Sequence, residues 1–316
     1  MGKVLITGAS GYIGGRLVGT LLDRGWDVRA LERERAPRLA VPQTVCDLAQ
    51  APVDTIAAAA AGAETVVHLA GENEQVAARE PARALAETVV ATERIAAACA
   101  SAGVRRLVYT STMHVYGARV APGATLSEEM RVEPRSAYAI SRLASEHVAA
   151  AFAGRGCDVV ILRLTNTVGA PDDPHVDRWT LVANDLCRQG ALENRLELLS
   201  SGTQWRDFVA LSAVCEGIAE VSRSNDPTAL PAGTYNVGSG RSITVRALAE
   251  LIRDEFGRQT GSSPELCAPE PEPDPPGPYQ VSVERAAVHG LRFDAPLQEA
   301  VAETVRFCLK HREELR

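Results

Sequence analysis

Short apolar runs alternate with alanine-rich stretches of helical spacing through the first half of the chain. The runs Val4–Thr7, Asp27–Leu31, Thr65–Leu69, Arg106–Ser111 and Val159–Leu162 predict strands. Between them, Ile13–Leu22, Leu85–Ala102 and Tyr138–Phe152 space their apolar residues as helices do. Such alternation predicts an α/β fold, a doubly wound parallel sheet with helices on both faces. After about Thr165 the pattern loosens. A loop is expected at Ala170–Pro174, helices at Trp179–Gln189, Ser212–Arg223, Val245–Phe256 and Leu297–His311, and an extended segment at Thr203–Val209. Residues 264–278 are too rich in proline for regular structure and read as an ordered surface loop or a cap over the site. The expected organisation is a cofactor domain at 1–165 with returning segments from about 205–240. A smaller C-terminal substrate-binding lobe takes most of 166–316.

Composition narrows the function. With 316 residues, 46% of them apolar, the chain can bury one large core or a core plus a lobe. A net charge of −7 with no basic domain argues against nucleic acid as partner. No apolar run reaches about 18 residues, so no membrane span is expected. The N-terminus lacks a signal-peptide pattern, and the seven cysteines are scattered with no C-x-x-C pair. Both point to a cytoplasmic protein with reduced thiols, and no metal site is expected. Of the 33 basic residues only Lys3 and Lys310 are lysine, so nearly every cationic task falls to arginine.

Chemistry first appears in Thr7-Gly8-Ala9-Ser10-Gly11-Tyr12-Ile13-Gly14, which follows a strand and opens a helix. Gly8 permits a tight turn, Gly11 lets backbone N–H groups approach a pyrophosphate, and Gly14 lets the helix pack close to the strand. Ser10, Tyr12 and Ile13 complete the loop. Glu32 ends the second strand, 24 residues after Gly8. A carboxylate there accepts hydrogen bonds from the adenosine ribose and repels a 2′-phosphate, which favours NAD over NADP. Arg33 and Arg35 pull the other way, because either could meet a 2′-phosphate. The loop and the alternation together give a Rossmann fold.

These residues resemble the extended short-chain dehydrogenases, the NAD-dependent nucleotide-sugar epimerase/dehydratase family. Asp47-Leu48 resembles the family's acidic pair beside the adenine, and His68-Leu69-Ala70-Gly71 its fourth-strand motif. Thr110 to Gly117, Leu162 to Gly169 and Arg206-Asp207-Phe208-Val209 resemble three further motifs. The resemblance implies that Tyr138 is the catalytic base, that Thr112 (or Ser111) hydrogen-bonds the reacting oxygen, and that Leu69, Ala70 and Gly71 face the cofactor. It implies that Asn166 and Arg206 hold the substrate, Arg206 at the diphosphate. Where the family has lysine four residues after the tyrosine, this chain has Arg142, on the same helical face. Arginine keeps the charge but is longer and forked. It stands in for the lysine, serves altered chemistry, or marks a weakened site. A dehydratase of the family has an acidic pair where Met113-His114 stands here. His114 titrates near neutrality and is either a pocket wall or a base for a C–H proton. Thr88 replaces a frequent asparagine. The acidic stretch Glu270 to Gly277 lacks a second diphosphate arginine, a role open to Arg178, Arg188 or Arg195.

The resemblance implies an epimerase, acting at C4 through a transient 4-keto intermediate. Alternatives are an NAD(P)-dependent sugar or carbonyl reductase, a dehydratase or C3/C5 epimerase using His114, and a non-catalytic cofactor-binding relative. A nucleotide sugar is the expected substrate. A homodimer through two alanine-rich helices, Leu85–Ala102 and Tyr138–Phe152, is also expected.

Overall fold

The computed structural model describes residues 2–117, 121–223, 230–273, 275 and 277–316. The first half runs β1 (Lys3–Thr7), α1 (Tyr12–Asp23), β2 (Asp27–Glu32), β3 (Gln43–Val45), α2 (Val53–Ala60), β4 (Thr65–His68), α3 (Glu74–Arg79), α4 (Pro81–Ala102) and β5 (Arg106–Thr112). A 3-10 turn at Met113–Tyr116 leads to β6 (Thr125–Leu126), α5 (Ala137–Ala150), β7 (Asp158–Leu164) and β8 (Asn166–Val168). Next come α6 (Val182–Glu193), β9 (Arg195–Glu197), β10 (Trp205–Ala210), α7 (Leu211–Arg223), β11 (Gly233–Val237), β12 (Ser242–Thr244) and α8 (Val245–Thr260). The chain ends through β13 (Glu265–Cys267), β14 (Gln280–Val281), α9 (Glu284–Val288) and α10 (Leu297–Lys310).

Seven strands form one sheet in the order β11-β7-β5-β4-β1-β2-β3, parallel throughout. Its central strands are buried on both faces, so they read as continuous apolar runs. Helices α2, α4 and α5 cover one face; α1 and α7 pack together on the other. The strand order reverses between β1 and β4. At such a point the loops leaving the two strands diverge and open a crevice at their carboxyl ends. Gly8 follows β1 and Leu69–Gly71 follows β4, so the switch point brings these two segments together.

Beneath them, His68 is fully buried. Its Nδ1 lies 2.7 Å from Thr7 Oγ1 and its Nε2 3.2 Å from Thr92 Oγ1, whose hydroxyl donates to Thr88 O. A neutral ring satisfies this chain with a proton on Nε2 and a hydroxyl donating to Nδ1. Burial and the nearby Arg142 cation push the His68 pKa down to about 3 from an ordinary 6.5. The unfolded chain therefore binds a proton that the folded one refuses. Stability is full above pH 6.5 and falls as pH drops toward 3. At about 1.4 kcal/mol per pH unit, roughly 2 kcal/mol is lost by about pH 5. Urea midpoints at pH 7 and pH 5 measure it. His68→Gln should remove that part of the slope; an unchanged slope would assign it to other groups.

Three readings need correction. Among the described residues of 264–278 the stretch is irregular except at Glu265–Cys267, which pairs in parallel with Arg195–Glu197. The stretch does not cap the site: among the described residues none of it lines the clefts below. Asp274 and Pro276 lie outside the described residues. The helix expected from Trp179 starts at Val182, because Leu181 before it is in an extended conformation, φ −70° and ψ 130°. Among the described residues no helix is long and apolar enough to cross a membrane.

Candidate active site

Two adjoining clefts open along the switch point. One, of about 490 Å³, is lined by Glu32, Arg33, Asp47, Leu48 and Ala70. The other, of about 420 Å³, is lined by Tyr12, Ile13, Gly14, Thr112, His114, Tyr138, Arg142 and Asn166. Gly8, Ser10, Gly11, Leu69 and Gly71 line both. The groove is long, and a glycine loop sits at its middle.

The loop is built for close approach. Gly8 has φ +70°, and a Cβ there would lie 2.9 Å from Ala70 N. A Cβ on Gly14 would lie 2.2 Å from Gly8 O. Gly11 caps α1 with no side-chain hydrogen bond, so the helix's first N–H groups have no side-chain partner at that cap. The Tyr12 hydroxyl donates to Gly169 O at 2.8 Å, tying the loop to the segment after β8.

At the far end, Glu32 is 5% exposed and accepts from Ser10 Oγ at 2.5 Å and Ser10 N at 3.3 Å. Burial raises its pKa, and the Ser10 bonds draw it back. Arg33 pairs with Glu87 at 2.8 Å and approaches Glu72 at 3.6 Å, two acidic side chains that it shares with Arg83. Arg35 is exposed and lines neither cleft. Asp47 uses its carboxylate to accept from Ala49 N at 2.8 Å, shaping the turn after β3. The bare cradle, the open helix end and the ribose-side carboxylate together fit a dinucleotide.

In the other cleft α5 presents Tyr138 and Arg142 one helical turn apart. Ser136 caps the helix, its hydroxyl accepting from Ala139 N at 3.1 Å. The Arg142 guanidinium carbon lies 5.3 Å from the Tyr138 ring centroid. Burial raises the Tyr138 pKa, and Arg142 draws it back without overcoming burial. Burial works against the Arg142 cation, yet Tyr138, Tyr109 and Glu74 hold its pKa above the ordinary value. The His114 ring stands edge-on to Tyr138 at 6.2 Å between centroids. Solvent in the cleft reaches it. Burial by the surrounding walls lowers its pKa, Glu74 opposes, and Arg206 adds to the fall. Thr112 Oγ1 accepts from His114 N at 3.2 Å and keeps its own proton free to donate. Ser111 is differently placed: its hydroxyl donates to Glu146, which Arg163 grips at 2.7 to 3.2 Å. Arg163, from the motif Leu162 to Gly169, thus locks β7 to α5 behind the tyrosine.

Asn166 lines the cleft while donating to Asp207 O at 2.9 Å. Arg206 lies outside both linings, near enough to His114 to act on its charge, and donates to Trp205 O at 3.0 Å. Its neighbour Asp207 is buried and accepts from Thr165 Oγ1 and Ser239 N, both at 2.9 Å. Of the three substitute arginines only Arg178 lines the cleft, paired with Glu74 at 3.1 Å. Thr88 is buried under Glu72, its hydroxyl accepting from Glu72 N at 3.2 Å. Glu74, Tyr109 and Arg38 were not legible from the sequence. Arg38 crosses the loop to Ser10 O and to Asp172 at 2.7 Å. None of the three belongs to a spaced motif, so only the folded chain finds them.

The model of the NAD dependent epimerase/dehydratase family matches residues 4–238. A dTDP-6-deoxy-L-talose 4-dehydrogenase (NAD(P)(+)) of Kitasatospora kifunensis is 32% identical, over 95% of this chain and 94% of that protein. A UDP-glucose 4-epimerase of Mycolicibacterium smegmatis is 28% identical over 96% and 98%. Among solved structures, MoeE5 in complex with UDP-glucose and NAD is 26% identical, covers 100% of both chains and has a TM-score of 0.78.

Proposed function

Given that this chain belongs to the NAD dependent epimerase/dehydratase family and takes NAD as its cofactor, we propose that it is a nucleotide-sugar 4-epimerase. The observation that carries this reading is the grouping of Tyr138, Arg142 and Thr112 in the cleft beyond the glycine loop. Position 4 is also common to the names of both sequence relatives. When bound, NAD supplies an acceptor for hydride that can return it. Glu32 and the first turn of α1 hold its adenosine and pyrophosphate, and Arg142 its nicotinamide ribose.

Tyr138 Oη handles the proton of the reacting hydroxyl, and Thr112 Oγ1 fixes the oxygen by donating to it. With its pKa raised, Tyr138 is a neutral phenol at pH 7, set to give a proton to a carbonyl oxygen. Taking one from a hydroxyl calls for more positive charge in the cleft than Arg142 supplies alone. Asn166, Arg178 and Arg206 are the proposed substrate contacts, the arginines for a diphosphate. Met113-His114 offers no carboxylate for elimination, which speaks against a dehydratase. The 32% identical 4-dehydrogenase favours one second reading, a reductase of a 4-keto sugar. Helices α4 and α5 pack side by side and leave Val90 and Ile140 exposed, which supports the proposed homodimer.

Incubation with a panel of nucleotide sugars in D₂O, followed by NMR, tests the reaction. A 4-epimerase returns the same hydride and gives a new sugar without deuterium on carbon. Turnover only of a keto sugar with added NADH or NADPH would select the reductase. Deuterium on carbon would reject both and make His114 the proton carrier.

A further inference from the structure

Arg142 is 7% exposed, and one wall of its slot is the backbone of residue 71. A Cβ at Gly71 would lie 2.9 Å from Nη1, 3.0 Å from Nη2 and 3.1 Å from Cζ of Arg142. A lysine side chain ends at the level of Cζ, so two of these three atoms exist only in arginine. The wall cannot retreat easily. Nη2 donates to Glu72 O at 3.3 Å, and Glu72 N donates to Thr88 Oγ1 at 3.2 Å. Thr88 O in turn accepts from the Thr92 and Ser145 hydroxyls, at 2.8 and 3.4 Å. Residues 71 and 72 are thus anchored from α4 and α5. Glu74 acts on the Arg142 guanidinium through its charge, and the Arg142 Nε has no hydrogen-bond partner. The fork is held by the shape of its slot, by one carbonyl, by the Tyr138 ring and by Tyr109 beside it.

We infer that Gly71 is the positioning residue that admits an arginine beside Tyr138, and that Gly71 and Arg142 act as one unit. A side chain at 71 crowds the guanidinium at 142 and favours a shorter cation there; glycine at 71 leaves the fork its room. The consequence for turnover rests on the function proposed above, whereas the steric pairing does not.

The test is a four-member cycle: wild type, Gly71→Ala, Arg142→Lys and the double variant. Calorimetry reads NAD affinity and a thermal melt reads Tm. Gly71→Ala should weaken NAD binding about tenfold, as expected when a charge-assisted hydrogen bond is misplaced. Arg142→Lys should weaken it by less than about threefold. The double variant should return to within about threefold of Arg142→Lys, so the shorter cation rescues the alanine. Gly71 has φ +154°, and alanine carries that backbone strain equally in the single and double variants, so rescue isolates the contact with the guanidinium. If Gly71→Ala folds too poorly to bind, recovery of Tm in the double variant supports the pairing. A double variant no better than Gly71→Ala in both readouts overturns it. Rescue without turnover of any sugar would leave the pairing standing and remove the proposed reaction.

Discussion

Tyr138→Phe should lower turnover by about 10²- to 10⁴-fold, the usual range for a lost acid–base group, and leave NAD affinity within about twofold. The substitution keeps the ring and removes only Oη. The edge-on contact with His114 and the stacking of Arg142 both survive, so the cleft keeps its shape. Other hydroxyls are poorly placed to compensate. Ser111 is committed to Glu146, and Thr112 Oγ1 already accepts from His114 N. Single-turnover kinetics with a reacting nucleotide sugar, beside calorimetry with NAD, separates the two effects. Activity within about tenfold of wild type would take the proton-transfer role from Tyr138 and give it to His114. Lost NAD binding would make Tyr138 a cofactor contact instead.

Gly14→Ala should cost both cofactor and stability. The added Cβ meets Gly8 O at 2.2 Å, Ala9 Cα at 2.6 Å and Ala9 C at 2.8 Å, all of them backbone. No rotamer relieves such a clash, so α1 must move away from β1 or the turn at Gly8 must open. Either change spreads the N–H groups that face the pyrophosphate. Overpacking of this kind costs about 1–3 kcal/mol, and NAD affinity should fall at least about tenfold. Gly19→Ala in the same helix is the control. Its Cβ meets nothing within 4 Å, and it should stabilise by about 0.5–1 kcal/mol. Urea melts and calorimetry on the two variants decide. Equal behaviour would refute the close packing of loop and helix.

The order of strands and helices was legible because it depends on local spacing. So was the glycine loop: a tight turn after β1 and a helix packed on it leave no room for side chains at residues 8 and 14. The acid at residue 32 and the tyrosine one helical turn before a cation were equally readable, since neither depends on distant residues. The segment Gly233–Val237 was not read as a strand, although it completes the sheet beside β7. Residues 265–267 were misread, because proline counts against a strand and a distant partner at 195–197 outweighs it. Arg33 looked free to meet a 2′-phosphate; the fold sets Glu72 and Glu87 beside it. Arg206 sat in a familiar motif, yet its side chain lies outside both clefts, while Arg178, from an irregular segment, lines one. The arginine at 142 posed a question that spacing could not answer, because spacing gives the face of a helix and not the depth of the slot it faces. That depth is set by Gly71, 71 residues earlier, and by the threonine and serine hydroxyls that hold its backbone in place. Elements and motifs follow from periodicity within one segment; pairing of charges and room for a side chain follow from contacts between segments, which only the folded chain creates.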